Sequence, residues 1–416
     1  MNRDFDVIIV GAGVIGTAMA GLLLARQLSA PGRVTVVADR LPPAANPNAD
    51  WDLRVYALSR ASERLLKICG AWNALPADRM FAYERMCVWD GAGKPGGRGS
   101  LRFDSAQLGE PNLGFIVDGG TLQRECLQAA RNAGVVVVEG GLSAIAVGDA
   151  GVSLRLTDGR ELRGQLLIAA DGADSQTRTL LGIETAGHAY HQDALVAHVR
   201  TAKPHAGTAW QRFLSTGPLA FLPLSDGRSS IVWSAALPEA TRLRALDATE
   251  FGRALTEASG GVLGECELTT TVASFPLKLQ YAMEYARPRA VLLGDAAHVV
   301  HPLAGQGLNL GLLDCAALAD VLGQGMGGPR RAAGGYFGEH TLLRRYERRR
   351  RSENLQSAAA LDVLERLFGG ADALSRGLRM AGLTAVGKLP FLKRDLARRA
   401  LGLSGDIPAF LKVDRL

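Results

Sequence analysis

The chain has 416 residues, 47% hydrophobic and 21% charged, with a formal net charge of +6. That length predicts roughly two to three domains at ~150 residues each, and the composition excludes a disordered or fibrous chain. Its five cysteines (Cys69, Cys87, Cys126, Cys266 and Cys315) contain no C-x-x-C pair, which argues against a disulfide framework or zinc module and for a reducing compartment.

Residues 7–25 carry no charge, a run long enough to imitate a membrane span. Acidic Asp4 and Asp6 precede it, and Gly11, Gly13, Gly16 and Gly21 interrupt it. It reads instead as a buried strand over 5–10, a glycine turn and a buried helix over 14–28, so the protein is expected in the cytoplasm. A second strand over 33–38 ends at Asp39 and completes a β-α-β unit. Residues 41–50 are rich in Pro, Ala and Asn and read as a loop. A helix is expected over 57–69, stopped by Gly70. Residues 88–108 look irregular. A helix over 121–132, a strand over 135–138, a hairpin of 152–156 with 161–166, and a strand over 165–170 then lead into Asp171-Gly172.

From 188 to 275 the texture changes. Alternation over 194–201, 209–215, 229–236 and 268–274 predicts an antiparallel sheet inserted into the first unit. A strand over 290–293 returns, followed by Gly294-Asp295 and a long apolar helix over 307–322. The remainder reads as helical. Residues 330–416 hold 18 Lys and Arg against 9 Asp and Glu, so the whole positive excess lies in this C-terminal fifth. Such a region attracts anionic surfaces or acidic partners. No recognition motif for nucleic acid accompanies it.

Three motifs carry chemistry. Gly11, Gly13 and Gly16 form a G-x-G-x-x-G between two buried strands. They allow a tight turn, a close approach to a pyrophosphate, and packing of helix on strand. Asp39, at the end of the second strand, suits ribose hydroxyls, and the pattern fits NAD or FAD equally. Asp171-Gly172 places a carboxylate directly after a buried strand, where burial demands a partner. Gly294-Asp295 again ends a buried strand, and a Gly/Pro loop then runs into a helix. That loop aims backbone N–H groups and a helix dipole at one point, where negative charge on a reduced flavin would be stabilised. His298 and His301 stand three apart with no third ligand close by in sequence, which argues against a metal.

Together, in this order and spacing, the motifs resemble the class A flavoprotein monooxygenases, the para-hydroxybenzoate hydroxylase-like group. Within it, His301-Pro302-Leu303-Ala304-Gly305-Gln306-Gly307-Leu308-Asn309-Leu310-Gly311-Leu312-Leu313-Asp314 is similar to the H-P-x-A-G-Q-G-x-N-x-G-x-x-D signature of the ubiquinone-biosynthesis hydroxylases. The segment from Asp52 through Arg54 to Ser59 resembles their D-x-R-x-x-A-L-S element. Two positions depart from the family. Asp39 stands where many relatives carry Glu, and Asp118-Gly119-Gly120 where they often have Asn-Arg.

The resemblance implies an α/β fold with a Rossmann-like FAD-binding domain formed by residues 1–187 and 281–330. A mainly antiparallel β-sheet substrate domain (188–280) is inserted, and a basic helical C-terminal region (331–416) follows. It assigns the cofactor FAD to Gly11, Gly13, Val14, Ile15, Gly16, Asp39, Arg40, Arg54, Gln123, Asp171, Gly172, Gly294, Asp295, Pro302, Gly305, Gln306, Gly307, Leu308 and Asn309, with Arg54 reaching the pyrophosphate. It implies hydroxylation of a polyprenylated phenol by O2 in ubiquinone biosynthesis, through a C4a-hydroperoxide of the reduced flavin. No side chain is needed as acid or base. No second G-x-G-x-x-G is read between an expected strand and an expected helix, so NAD(P)H would use a transient site or a partner reductase. Phe213, Phe221, Leu222 and Pro223 are candidates to line an apolar substrate site. The basic C-terminal region is expected to hold the enzyme peripherally on the inner membrane, beside partners of a biosynthetic complex. The competing readings are a hydroxylase of a soluble aromatic and a non-catalytic flavin-binding subunit.

Overall fold

The computed structural model describes residues 4–46, 49–300, 305–325, 337–369, 382, 384 and 389–412. Strand β1 (Asp4–Val10) lies between β2 (Val34–Ala38) and the strand Glu161–Ala169, parallel to both. Val136–Glu139 extends the sheet beyond β2, and Ala290–Leu292 extends it beyond Glu161–Ala169, again in parallel. Parallel strands covered on both faces need apolar residues on both. Accordingly Val7, Ile8 and Ile9 are all fully buried. Helix α1 (Val14–Ala25) is buried over most of its length. The uncharged run 7–25 is thus a central strand, a turn and a core helix. No helix of the described residues is long and apolar enough to cross a membrane.

A second sheet stands against this layer. Its antiparallel body comprises Thr185–Thr201, Ser229–Ala236, Gly217–Pro223 and Thr208–Leu214, with Ala273–Ala282 on the other side of Thr185–Thr201. Two expectations need correction here, and one pair of elements is new. Residues 88–108 are not irregular: Arg85–Asp90 pairs in parallel with Thr208–Leu214, and Ser100–Asp104 pairs with Arg85–Asp90. The stretch 268–274 is not one strand, because Cys266–Leu268 and Ala273–Ala282 are separate. Finally, two helices, Leu237–Arg244 and Ala248–Ser259, cover the outer face and bury Leu243, Phe251 and Leu255. The second begins with a capping box. Glu250 N donates to Asp247 Oδ1 at 2.8 Å and Asp247 N to Glu250 Oε2 at 3.2 Å, a signal present in the sequence as Asp-x-x-Glu.

Near the N-terminus, the helix expected over 57–69 is a strand, Val55–Leu58, followed by a helix, Arg60–Ile68, capped by Ser59. The strand pairs with Gly114–Asp118, itself paired with Met80–Tyr83. The long helix Gln306–Gly325 packs against α1, and His340–Gly369 packs against it in turn. Tyr346, fully buried, donates from its hydroxyl to the Leu292 carbonyl at 2.8 Å and ties this C-terminal helix to the parallel sheet.

Candidate functional site

The glycines of the first turn have three different reasons. Gly11 has φ +115°, and a Cβ there would lie 2.2 Å from the Ala170 carbonyl oxygen. A Cβ on Gly16 would lie 2.0 Å from the Gly11 carbonyl oxygen. At Gly13 a Cβ would meet nothing within 4 Å. Two glycines therefore serve packing, and the one between them faces open space. Gly13 is also the N-cap of α1, which has neither a capping side chain nor an acid in its first turn. Its free N–H groups and positive dipole end suit an anion, so the loop fits a dinucleotide pyrophosphate. Val14 and Ile15 continue the same wall. Asp39 and Arg40 are exposed just beyond β2. Gln123 Nε2 donates to the Ala12 carbonyl of the turn at 3.3 Å.

Asp171 turns back on its own loop. It accepts from Ser175 Oγ at 2.5 Å and from Thr177 N at 2.9 Å, at the start of the helix Gln176–Leu180, whose N-cap is Ser175. Gly172, at φ +83° with open space where a Cβ would be, is the member of the pair that faces the cavity. Arg178, 8% exposed, donates to the carbonyls of Ala173 at 3.0 Å and Ala296 at 2.9 Å. It thereby clamps the Asp171-Gly172 loop to the Gly294-Asp295 loop.

The signature after Gly294 is mostly architecture. Gly311 packs on Gly294, and a Cβ on Gly311 would lie 3.1 Å from the Gly294 Cα. Asp314, fully buried, accepts from Gly294 N at 3.2 Å, His298 Nε2 at 2.6 Å, Arg350 Nε at 2.7 Å and Asn354 Nδ2 at 3.1 Å. Burial alone would push its carboxyl up, but His298 and Arg350 hold it well below the usual carboxylate range. The Asn309 side chain has a structural task. It is taken up by protein partners: Oδ1 accepts from Ser59 N and Ser62 Oγ, and Nδ2 donates to Ala57 O and Gly305 O. It staples the Val55–Leu58 segment to the long helix and leaves no side-chain donor for a cofactor. Pro302 lies outside the described residues.

A cavity of about 630 Å³ joins what remains. Gly13, Val14, Ile15, Gly172, Asp295 and the run Gly305-Gln306-Gly307-Leu308 form one side. Crowding by the cavity walls pushes the Asp295 carboxyl above its ordinary value, against the pull of His298 and Arg54, although the residue opens on the cavity. Arg54 enters from the segment before Val55–Leu58. Gly119 N donates to the Arg54 carbonyl at 2.9 Å, and a Cβ on Gly119 would lie 2.4 Å from that oxygen. The departure at Asp118-Gly119-Gly120 thus lets the Arg54 backbone lie directly on the next helix, while Asp118 accepts from Asp52 N and Thr121 N, each at 2.7 Å.

The antiparallel sheet is the opposite side. Its register places Met86, Ala209 and Leu222 in one row, and Gln211, Ala220 and Val232 in the next, all lining the cavity. Of the four expected lining residues only Leu222 does so. Strand parity turns Phe221 to the outer face, where it packs with Leu219 and Trp233 against the covering helices. Phe213 and Pro223 are buried but do not line the cavity. Sequence reasoning missed Tyr83, Met86, Phe103 and Gln211 because they come from strands it did not place or from the wrong parity. Burial pushes the Tyr83 phenol up to about 12, so it stays a neutral donor in the wall. Leu396, Ala397, Ala400 and Leu401, from the helix Pro390–Ala400 and its end, close one edge.

Comparison with known proteins agrees with this geometry. A family model described as an FAD binding domain matches residues 123–356. The 3-demethoxyubiquinol 3-hydroxylase of Escherichia coli is 34% identical over 406 residues, spanning 97% of this chain and 100% of its own. Ubiquinone hydroxylase UbiL of Rhodospirillum rubrum is 35% identical, over 96% of this chain and 90% of its own. The crystal structure of p-nitrophenol 4-monooxygenase PnpA from Pseudomonas putida superposes with a TM-score of 0.75 at 19% identity, covering 98% of this chain and 100% of that one, and so shares the fold.

Proposed function

The chain belongs to the FAD-dependent aromatic monooxygenase family that contains the ubiquinone hydroxylases, and on that premise we propose that it hydroxylates the ring of a polyprenylated phenol in ubiquinone biosynthesis. The observation that carries this reading is one shared cavity. It brings the dinucleotide turn, Asp295 and the Gly305–Leu308 run face to face with an apolar sheet wall. Bound FAD, when reduced, supplies the activation of O2. One oxygen atom enters a ring C–H bond to give C–OH and the other leaves as water. Two electrons come from NAD(P)H at a transient site or from a partner reductase.

The chain supplies position and dryness. Gly13 and the start of α1 hold the pyrophosphate, and Asp39 is placed for the ribose. The backbone of Gly305 to Leu308 offers donors at the start of a helix, where charge builds on the cofactor. The wall of Met86, Ala209, Ala220, Leu222 and Val232 holds the ring and excludes water. Reduced holoenzyme mixed with O2 is expected to convert a polyprenylated phenol to a product one oxygen atom heavier. Recovery of the phenol unchanged, with the flavin reoxidised, contradicts the reading.

A finer reading concerns location: the enzyme works at the surface of the inner membrane, beside other proteins of the pathway. Part of the basic excess is engaged inside the fold. Arg350 is 2% exposed on Asp314, and Arg349 is paired with Asp320 at 2.8 Å and with Asp406. The helix Pro390–Ala400 differs. Phe391 is 72% exposed, Leu389 and Leu396 are also exposed, and Lys393, Arg394, Arg398 and Arg399 share the helix. An apolar edge with basic neighbours suits an anionic bilayer surface, and its inner residues border the cavity into which a prenylated ring must pass. The protein is expected to float with vesicles containing anionic lipid, and a Phe391→Asp, Leu396→Asp variant to remain behind. Equal recovery with neutral vesicles, or of the variant, overturns the location and leaves the chemistry untouched.

A further inference from the structure

Gln211 is a carboxamide in a largely apolar wall whose other polar groups include Tyr83 and Ser234. It sits in the strand Thr208–Leu214, opposite Ala220 on one neighbour and Val88 on the other, and it lines the cavity. Only 6% of the residue is exposed, no hydrogen bond of its carboxamide to a described residue is seen, and its polar end opens on the cavity. Around it stand Met86, Ala209, Ala220, Leu222 and Val232. A buried amide without a partner is costly, and in an open cavity water meets the need. A ring that displaces that water must either offer its own polar group or leave the amide stranded.

The strand behind Gln211 is fixed. Arg212, on the opposite face, donates to the Ala258 carbonyl at 2.8 Å and the Gly91 carbonyl at 2.5 Å. Trp210 meets Trp89 edge-on, with ring centroids 6.2 Å apart. Gln211 therefore projects from a held backbone into the space the reading above gives to the ring.

Resting on that reading, we propose that the Gln211 carboxamide hydrogen-bonds the ring hydroxyl of the phenol and sets which ring carbon faces the cofactor. The hydroxyl donates to Oε1 or accepts from Nε2. The apolar neighbours hold the ring's faces, and the amide on its fixed strand distinguishes a phenol from the same ring without its hydroxyl. Gln211 takes no proton and forms no bond; it orients.

The test uses flavin-loaded enzyme and two ligands, a short-chain prenylated phenol and its deoxy analogue, with binding read from the change in flavin absorption. Wild type is expected to bind the phenol roughly 10-fold more tightly or better. Gln211→Met, close in volume, is expected to bind both alike, with flavin content and thermal midpoint kept. In a single turnover of reduced enzyme with O2, the variant should yield several-fold less hydroxylated product, hydrogen peroxide making up the difference. Gln211→Ala, which leaves space rather than strain, serves the same readouts should methionine not be accommodated. A variant that keeps the wild-type preference, or a wild type with none, overturns the proposal alone. A wild type that binds neither ligand overturns the functional reading and the proposal with it.

Discussion

Gly13→Val will fold but purify colourless, whereas Gly11→Ala, two residues away, will fail to fold stably. At Gly13 a Cβ meets nothing within 4 Å, so the apoprotein tolerates a branched side chain. That open space is where the pyrophosphate must approach the backbone, and valine would fill it. The expected loss in FAD affinity is on the order of 100-fold, about 2.7 kcal/mol. At Gly11 a Cβ would sit 2.2 Å from the Ala170 carbonyl oxygen, with φ at +115°. Strain and overpacking there should cost about 3 kcal/mol or more. Flavin content and a urea unfolding curve for each variant separate the outcomes. Normal flavin content in Gly13→Val would remove this turn from the cofactor site.

Asp314→Asn is expected to destabilise the protein by about 3–5 kcal/mol, the cost of leaving a buried charge unpaired. Asp314 and Arg350 are 0% and 2% exposed, and every partner of the carboxylate is a donor: Gly294 N, His298, Arg350 and Asn354. An asparagine offers one accepting oxygen and turns an NH2 group toward the remaining donors. Because the same carboxylate holds Gly294 N, the loss reaches the loop before Asp295, and FAD should dissociate at lower urea than the sheet unfolds. Asp158→Asn, which breaks an exposed pair with Arg160, should leave the urea midpoint unchanged. A midpoint for Asp314→Asn equal to that of Asp158→Asn would show that the network is not what docks the C-terminal helix.

The parallel layer was legible because its strands are buried on both faces and so read as continuous apolar runs. Glycines and acids at their ends mark the turns. The second sheet was legible only in part. Arg85–Asp90 was missed because one partner, Thr208–Leu214, lies more than a hundred residues away and the other, Ser100–Asp104, follows a glycine-rich loop that hides the pairing. The adjacent apolar residues Phe221 and Leu222 look interchangeable in sequence, but strand parity sends one to the outer core and one to the cavity. Polar residues of the signature helix were harder still. Asn309 and Asp314 sit among apparent cofactor ligands, but their partners Ser59 and Arg350 come from distant segments. The same distance hid the pairing of Arg350 with Asp314. Gln211 carries no motif at all, and only the register turns its amide into the cavity wall.

The central claim is that this cavity joins O2 chemistry to a prenylated ring, and the most direct test is a single turnover under isotopically heavy O2. Enzyme reduced without air and loaded with polyprenylated phenol is mixed with the labelled gas, and the ring product is weighed by mass spectrometry. The predicted result is a hydroxylated ring carrying one heavy oxygen atom, formed in close to one equivalent per reduced flavin. Quantitative hydrogen peroxide with an unaltered ring, or a ring oxygen drawn from water, would contradict it.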